Sequence, residues 1–202
     1  MSLRARVRRH PLVAFVVLAY LLSWSYWIPL AWNGAVVVPG GSVTHLPGLL
    51  GPALAALLVP LLAGDREALA DLLRRMRLVT RPVWRFGLVS LSPLVFLGLA
   101  LPVAAVTGAP LPDVSDFARY SGLPVLELWA VVPIVFVVNG LGEETGWRGF
   151  ALPRLQQRFG PLGGTLVLAV IWAAWHVPLF QAVETYRLMT PATMLFGFGL
   201  GI

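Results

Sequence analysis

The sequence predicts an all-α, polytopic transmembrane bundle of about five complete spans and the start of a sixth. Three observations lead there. Apolar residues make up 58% of the 202-residue chain and charged residues only 12%, against about 25% charged in soluble domains. The apolar residues come in runs of roughly span length, about 20 residues, separated by short stretches that hold the charges. All 15 basic residues are arginines, and thirteen of them fall in alternate connecting segments, the pattern of cytosolic loops. A chain of this length forms one integral-membrane domain over residues 1–202. Its net charge of +6 would suit nucleic acid, but arginines set between apolar runs follow membrane topology instead, so no nucleic-acid partner is expected. The exclusive use of arginine hints at GC-rich coding and a bacterial source. With no cysteine, disulfides, thiolate metal sites and thiol nucleophiles are excluded.

Residues 1–10 carry Arg4, Arg6, Arg8 and Arg9 and place the N-terminus in the cytosol. The first span, residues 12–32, is as long as a full crossing and lacks a cleavage site, so it stays attached. Trp24, Tyr26, Trp27 and Trp32 gather toward its far end, as aromatic residues do at an interface. The loop 33–45 has no arginine and lies outside, with His45 as a solvated residue. A second span, 46–63, contains Pro47, Pro52 and Pro60, which predicts irregular ends. Over 65–85, Leu69, Leu72, Leu73 and Met76 recur at helical spacing opposite arginines, an amphipathic helix on the cytosolic surface. The third span is 86–107. Its Ser90 and Ser92 have no histidine near them in sequence, and hydroxyls in spans bond to their own helix. The loop 108–123 returns to the outside. The fourth run starts near Pro124 and continues through Arg148, Arg154 and Arg158 to a turn at Gly160-Pro161. The fifth run, 162–180, ends outside near Glu184 and Arg187. A sixth begins near Pro191 and stops at Ile202 inside an apolar stretch, so the domain is expected to be incomplete at its C-terminus.

Chemistry concentrates in the core at 124–181. Residues 139–150 read Asn-Gly-Leu-Gly-Glu-Glu-Thr-Gly-Trp-Arg-Gly-Phe, directly after an apolar run. A charge at membrane depth costs at least about 2.5 kcal/mol on insertion scales, so such a cluster points to function. At about 100° per residue, Glu143 and Glu144 point in different directions. Glu144 stands four residues before Arg148, the favoured order for an intrahelical ion pair. Glu143 shares a stripe with Asn139 and Trp147 and is left to act on water as a general base. His176 lies in Ile-Trp-Ala-Ala-Trp-His-Val-Pro, one turn after Trp172 on the same face. Glu143 is 17 residues before Gly160 and His176 is 16 after it, so a hairpin turning there sets both about 24 Å from the turn, at one level.

Other hydrolytic arrangements are excluded. No two histidines stand four apart. Aspartates occur only in predicted loops, and Gly40-Gly-Ser42 is a turn. Two further readings stand beside hydrolysis. One is a non-catalytic membrane immunity or scaffold protein that keeps Glu143, Glu144, Arg148 and His176 as a structural polar knot. The other is a small transporter, since buried charges also mark ion pathways.

The pattern Glu143-Glu144-x-x-x-Arg148 followed by Trp172-x-x-x-His176 resembles the first two motifs of the CPBP family. That family comprises type II CAAX prenyl endopeptidases and bacteriocin-processing enzymes, and includes abortive-infection proteins. The resemblance is specific over residues 139–181; Trp172 stands where the family usually has Phe. It implies an intramembrane endopeptidase whose catalytic residues are Glu143, Glu144, Arg148 and His176, supported by Asn139, Trp147 and Trp172. Glu143 would activate the water, His176 would position it or polarise the carbonyl, and Glu144 with Arg148 would maintain the electrostatics. The implied partners are a peptide or protein substrate in the membrane and the lipid bilayer itself. Glu143, Glu144 and His176 could together bind zinc, and a metal-free glutamate mechanism is equally compatible. The resemblance also implies a third motif, His-x-x-x-Asn or His-x-x-x-Asp, on a later helix; the sequence ends before one, as a C-terminally truncated chain would.

Overall fold

A computed structural model describes residues 2–76, 98, 101–108 and 118–190. The chain divides into two compact units, Met1–Met76 with Ala118–Ile202, and Arg77–Phe117. In the second unit residues 101–107 are helical, and the Thr107 hydroxyl donates to the Val103 carbonyl at 2.8 Å, within its own helix. The rest of the expected third span, its two serines, and the sixth run lie outside the described residues.

The secondary structure of the described residues is helical apart from isolated bridges. In the larger unit α1 (Leu3–Arg9) is capped by the Ser2 hydroxyl, and α2 (Pro11–Trp32) opens on a proline, which needs no N–H in a first turn. The second apolar run is interrupted, as its prolines predicted, into α3 (Leu46–Leu49) and α4 (Gly51–Ala63). Gly64 ends α4 in the left-handed conformation, φ 64°. Asp65 then caps α5 (Arg66–Arg75) by accepting the Ala68 N–H at 2.9 Å. This helix covers the first part of the expected amphipathic segment, whose residues 77–85 lie outside the described residues; of the expected apolar stripe Leu72 is buried, whereas Leu73 is exposed. Among the described residues three apolar stretches have the length and composition to cross a membrane, Pro11–Trp32, Leu46–Ala63 and Leu128–Ala182.

The third stretch is 55 residues long and folds back on itself. It comprises α6 (Leu128–Val135), two π-helical segments (Phe136–Glu143 and Thr145–Ala151) and α7 (Leu152–Trp175), followed by the single turns α8 (Leu179–Ala182) and α9 (Glu184–Arg187). Gly160, at φ 74° and ψ 172°, breaks the helix within α7. A Cβ on Gly164 would lie 2.6 Å from the Gln156 nitrogen, whereas eight residues of unbroken helix would separate the two by about 12 Å. The expected hairpin at Gly160-Pro161 is therefore formed. Pro153 does not disturb the approach to it, because it sits in the first turn of α7.

The fourth run departs from the regular α-helix on which its stripes were counted. Over residues 136–151 its hydrogen bonds widen to the π pattern, with Glu144 between the two segments. Gly142 and Gly146 let this stretch lie against the second apolar run, where a Cβ would come 3.1 Å from the Leu49 carbonyl oxygen and 2.5 Å from Pro52 respectively. The apolar core between these elements is rich in aromatics. Phe15, Trp27, Trp147, Phe150 and Trp175 are all buried, with Phe15 stacked on Phe150 at 5.1 Å and Trp27 tilted against Trp175 at 4.6 Å. Small residues let α2 and α4 approach closely, and the buried Ser23 hydroxyl donates to the Gly48 carbonyl at 2.7 Å.

At the end of the unit away from α1, three connecting segments are tied together. The Val37 N–H donates to Ala182 at 2.8 Å, and the Glu184 N–H donates to Val37 at 3.0 Å. Pro39 bridges Ser121, and Gly40 bridges Pro124. This tie corrects the expectation for His45. It is not solvated but 5% exposed, with its main-chain carbonyl accepting the Trp27 indole N–H at 2.8 Å. Gly122 packs so close to the His45 ring that a side chain there would collide with it. The ring is covered by a segment nearly eighty residues away in sequence.

Candidate active site

The site assembles where the first π-helical segment passes the end of α7. Glu143 is 7% exposed, and its Oε2 accepts the Trp172 indole N–H at 3.1 Å. His176 caps α7 and is 2% exposed. Its Nδ1 lies 2.7 Å from the Trp172 carbonyl oxygen. A carbonyl can only accept, so Nδ1 carries the hydrogen, and the neutral ring presents Nε2 as an acceptor. One tryptophan thus holds both groups, the carboxylate through its side chain and the imidazole through its main chain. The hairpin does set Glu143 and His176 at one level.

Glu144 and Arg148 occupy the other side of the segment. They are joined at 2.6 Å, with Glu144 about half exposed, and the Arg148 guanidinium lies 5.6 Å from the centre of the Trp172 ring. The three expected metal ligands therefore do not converge, since Glu144 turns to Arg148 while Glu143 turns to Trp172. Among the described residues no group of three His, Asp or Glu side chains is arranged to hold a metal ion. Zinc does not fit this set.

The expected supporting residues separate. Trp172 is the central one. The Asn139 amide donates to the Tyr120 hydroxyl at 2.9 Å, while its buried Oδ1 has no partner among the described residues. Trp147 leaves the stripe of Glu143 for the core, edge-on to Phe15 at 5.2 Å and to Trp175 at 5.5 Å. The π geometry changes the angular step from residue to residue, so a stripe counted on α-helical spacing drifts onto another face along the segment.

Several neighbours of the site were not singled out from sequence. Tyr186 stacks on the His176 ring at 5.9 Å. Tyr186 and Tyr120 both lie within electrostatic range of Glu143. Burial pushes both phenols above their usual range, so they face the carboxylate as neutral hydroxyls. His45 lies within electrostatic range of His176, and burial lowers its pKa to about 4. Its Nδ1 is buried with no partner among the described residues. From α2, Tyr20 donates to the Ile171 carbonyl at 2.5 Å and Trp24 to the Trp175 carbonyl at 2.9 Å. These two bonds fix the end of α7 that bears His176. The tryptophans of α2 were visible in sequence as an interfacial cluster, but nothing local marked them as donors to another helix.

Comparison with known proteins gives two findings. Residues 125–202 match the family described as type II CAAX prenyl endopeptidase Rce1-like. The chain is also 24% identical over 147 residues to CAAX prenyl protease 2 of Methanococcus maripaludis, an alignment covering 70% of this chain and 52% of the relative. The chain thus spans about half the length of that relative. No solved structure matches.

Proposed function

With residues 125–202 assigning the chain to the CPBP, type II CAAX prenyl endopeptidase family, we propose that it is a membrane endopeptidase in which Glu143 activates the attacking water. The observation behind this reading is the pairing of a buried carboxylate with a buried imidazole through Trp172. Glu143 takes a proton from water, the resulting hydroxide adds to the peptide carbonyl, and the proton passes to the departing amine. His176 accepts a hydrogen bond from the same water at Nε2 and sets its direction. The hydroxyls of Tyr120 and Tyr186 supply neutral donors near the carboxylate. Glu144 and Arg148 balance each other's charge and leave Glu143 as the uncompensated base. The substrate is a peptide or protein segment held in or at the bilayer, and the N-terminus lies in the cytosol.

The test is Glu143→Gln, which keeps the shape and the acceptor for Trp172 but removes the base. Cleavage of a lipidated reporter peptide by the protein in bilayer discs is expected to fall by about 10²–10⁴-fold, with the melting temperature little changed. Cleavage by the parent protein is expected to survive exhaustive chelation. Undiminished cleavage by the variant would return Glu143 to the structural-knot reading.

A further inference from the structure

We propose that the Glu143–His176 cluster faces the side of the membrane opposite the arginine-rich end, and takes its peptide from the extracytosolic side. The second half of this inference rests on the hydrolytic reading above; the first half stands on the fold alone.

Three separate segments agree on the level of the site. The chain descends past α4 in a fixed register. A Cβ on Gly142 would lie 3.1 Å from the Leu49 carbonyl oxygen, one on Gly146 would meet Pro52, and one on Gly149 would meet Leu72 of α5. Arg154 then reaches a cavity of about 180 Å³ that it shares with Arg8, Asp65 and Phe150. Glu143 is thus level with the start of α4, and Arg154 with its end. Along α2, Phe15 stacks on Phe150 near the arginines, whereas Trp24 bonds to Trp175 next to His176. Thirteen residues from Pro11 to Trp24 correspond to about 20 Å of a helix whose 22 residues extend about 33 Å. The hairpin agrees, because Glu143 and His176 both stand far from the Gly160 turn, which Arg154 and Arg158 flank.

The arginines of α1, α5 and that turn all lie at one end of this unit. At the other end the described residues have Arg119 and Arg187. An asymmetry of this size sets the basic end in the cytosol. The cluster then sits in the outer part of the bilayer, beneath the tie formed by residues 37–40, 121–124 and 182–184. An apolar groove of about 250 Å³ opens at the same level, lined by Trp24, Ile28, Trp32, Val177, Pro178 and Gln181. Val177 and Pro178 directly follow His176, so a substrate segment lying in that groove would reach the cluster from within the outer leaflet.

The absence of native cysteine allows a direct test. Ser42→Cys and Ala70→Cys place single thiols at exposed positions of the two ends. In intact bacterial cells producing the protein, a membrane-impermeant maleimide is expected to label Ser42→Cys at once, and Ala70→Cys only after the cells are permeabilised. The opposite labelling overturns the orientation. Two tethered reporters, with the cleavable segment outside or in the cytosol, then test the substrate side. Cleavage of the outer reporter is expected, reduced about 10²–10⁴-fold by Glu143→Gln. Glu143-dependent cleavage of the cytosolic reporter alone overturns the substrate half while leaving hydrolysis intact. Labelling as expected with no Glu143-dependent cleavage of either reporter fells the hydrolytic reading, and the substrate half with it, and upholds the orientation.

Discussion

The two ends of the larger unit are built from the same apolar helices but hold their polar groups in different ways. At the basic end Asp71 pairs with Arg74 at 3.4 Å and Arg75 at 2.7 Å, with all three side chains substantially exposed. Water can replace either partner there, so each pair matters little. At the other end Glu143, His176 and His45 are nearly closed off from solvent. Glu143 accepts the Trp172 indole N–H from a facing segment, His176 is bonded to the Trp172 main-chain carbonyl one turn earlier, and the His45 main-chain carbonyl accepts the Trp27 indole N–H. Losing a partner there leaves a buried polar group unsatisfied, at about 1–3 kcal/mol. The difference separates a surface that tolerates change from a site whose parts fix one another.

The sharpest way to break that arrangement is to disturb the register of the π-helical segments against α4. Gly146 has no room for a methyl group, because a Cβ would lie 2.5–2.6 Å from Pro52 Cβ and its main-chain carbon and oxygen. Ala would ordinarily be favoured over Gly within a helix by about 0.5–1 kcal/mol. Here the collision is with backbone, which cannot rotate away. Gly146→Ala is expected to destabilise the protein by about 3 kcal/mol, read as a fall in Tm in detergent. An unchanged or higher Tm would show that the two elements are not held in this register.

His45 tests the same end through pH. Burial lowers its folded pKa to about 4, while the unfolded chain titrates near 6.5. Folding therefore excludes a proton that the unfolded chain binds. The stability is fully present above pH 6.5 and is lost as pH falls toward 4. The loss is about 2 kcal/mol between about pH 7 and pH 5. Other groups that change protonation over this range add to the slope of the parent and of any His45 variant alike. The informative quantity is accordingly the difference between the parent protein and His45→Gln across that range. Parallel pH curves for the two would place His45 in solvent, as its loop position alone suggests.

What was legible in the sequence is what depends on neighbours in sequence. The apolar runs gave α2 and the interrupted second run, because length and proline act locally. Asp65 is a recognisable cap, and the four-residue spacing of Glu144 and Arg148 produced the observed pair. Counting residues either side of Gly160 matched Glu143 to His176 in depth, since helical rise is nearly constant. The π-helical turn was not legible, as glycines permit it without requiring it, and it redirected Trp147 into the core. His45, Tyr120 and Tyr186 were missed for another reason. Their places are set by contacts between segments far apart in the chain, and no local spacing encodes a loop that closes over a histidine.

The basic end supplies the smallest effects, and two aspartates there refine the comparison. Asp65 accepts a main-chain N–H that has no other partner within the first turn of α5. Asp65→Ala is therefore expected to cost about 1 kcal/mol. Asp71 has two arginine partners, and the hydrogen bond from Arg75 holds its carboxyl below the usual range. That interaction would favour the folded state only above the carboxyl's unfolded pKa and would fade as pH falls through the folded one. Because Asp71 is open to solvent, counterions and water screen both arginines, and the freed guanidiniums lose nothing by returning to water. Asp71→Asn should leave the Tm where it was at neutral pH, in low and in high salt alike. A loss at Asp71 as large as at Asp65 would mean that surface charge, and not the cap, holds α5 in place, and the contrast between the two ends would then be one of degree only.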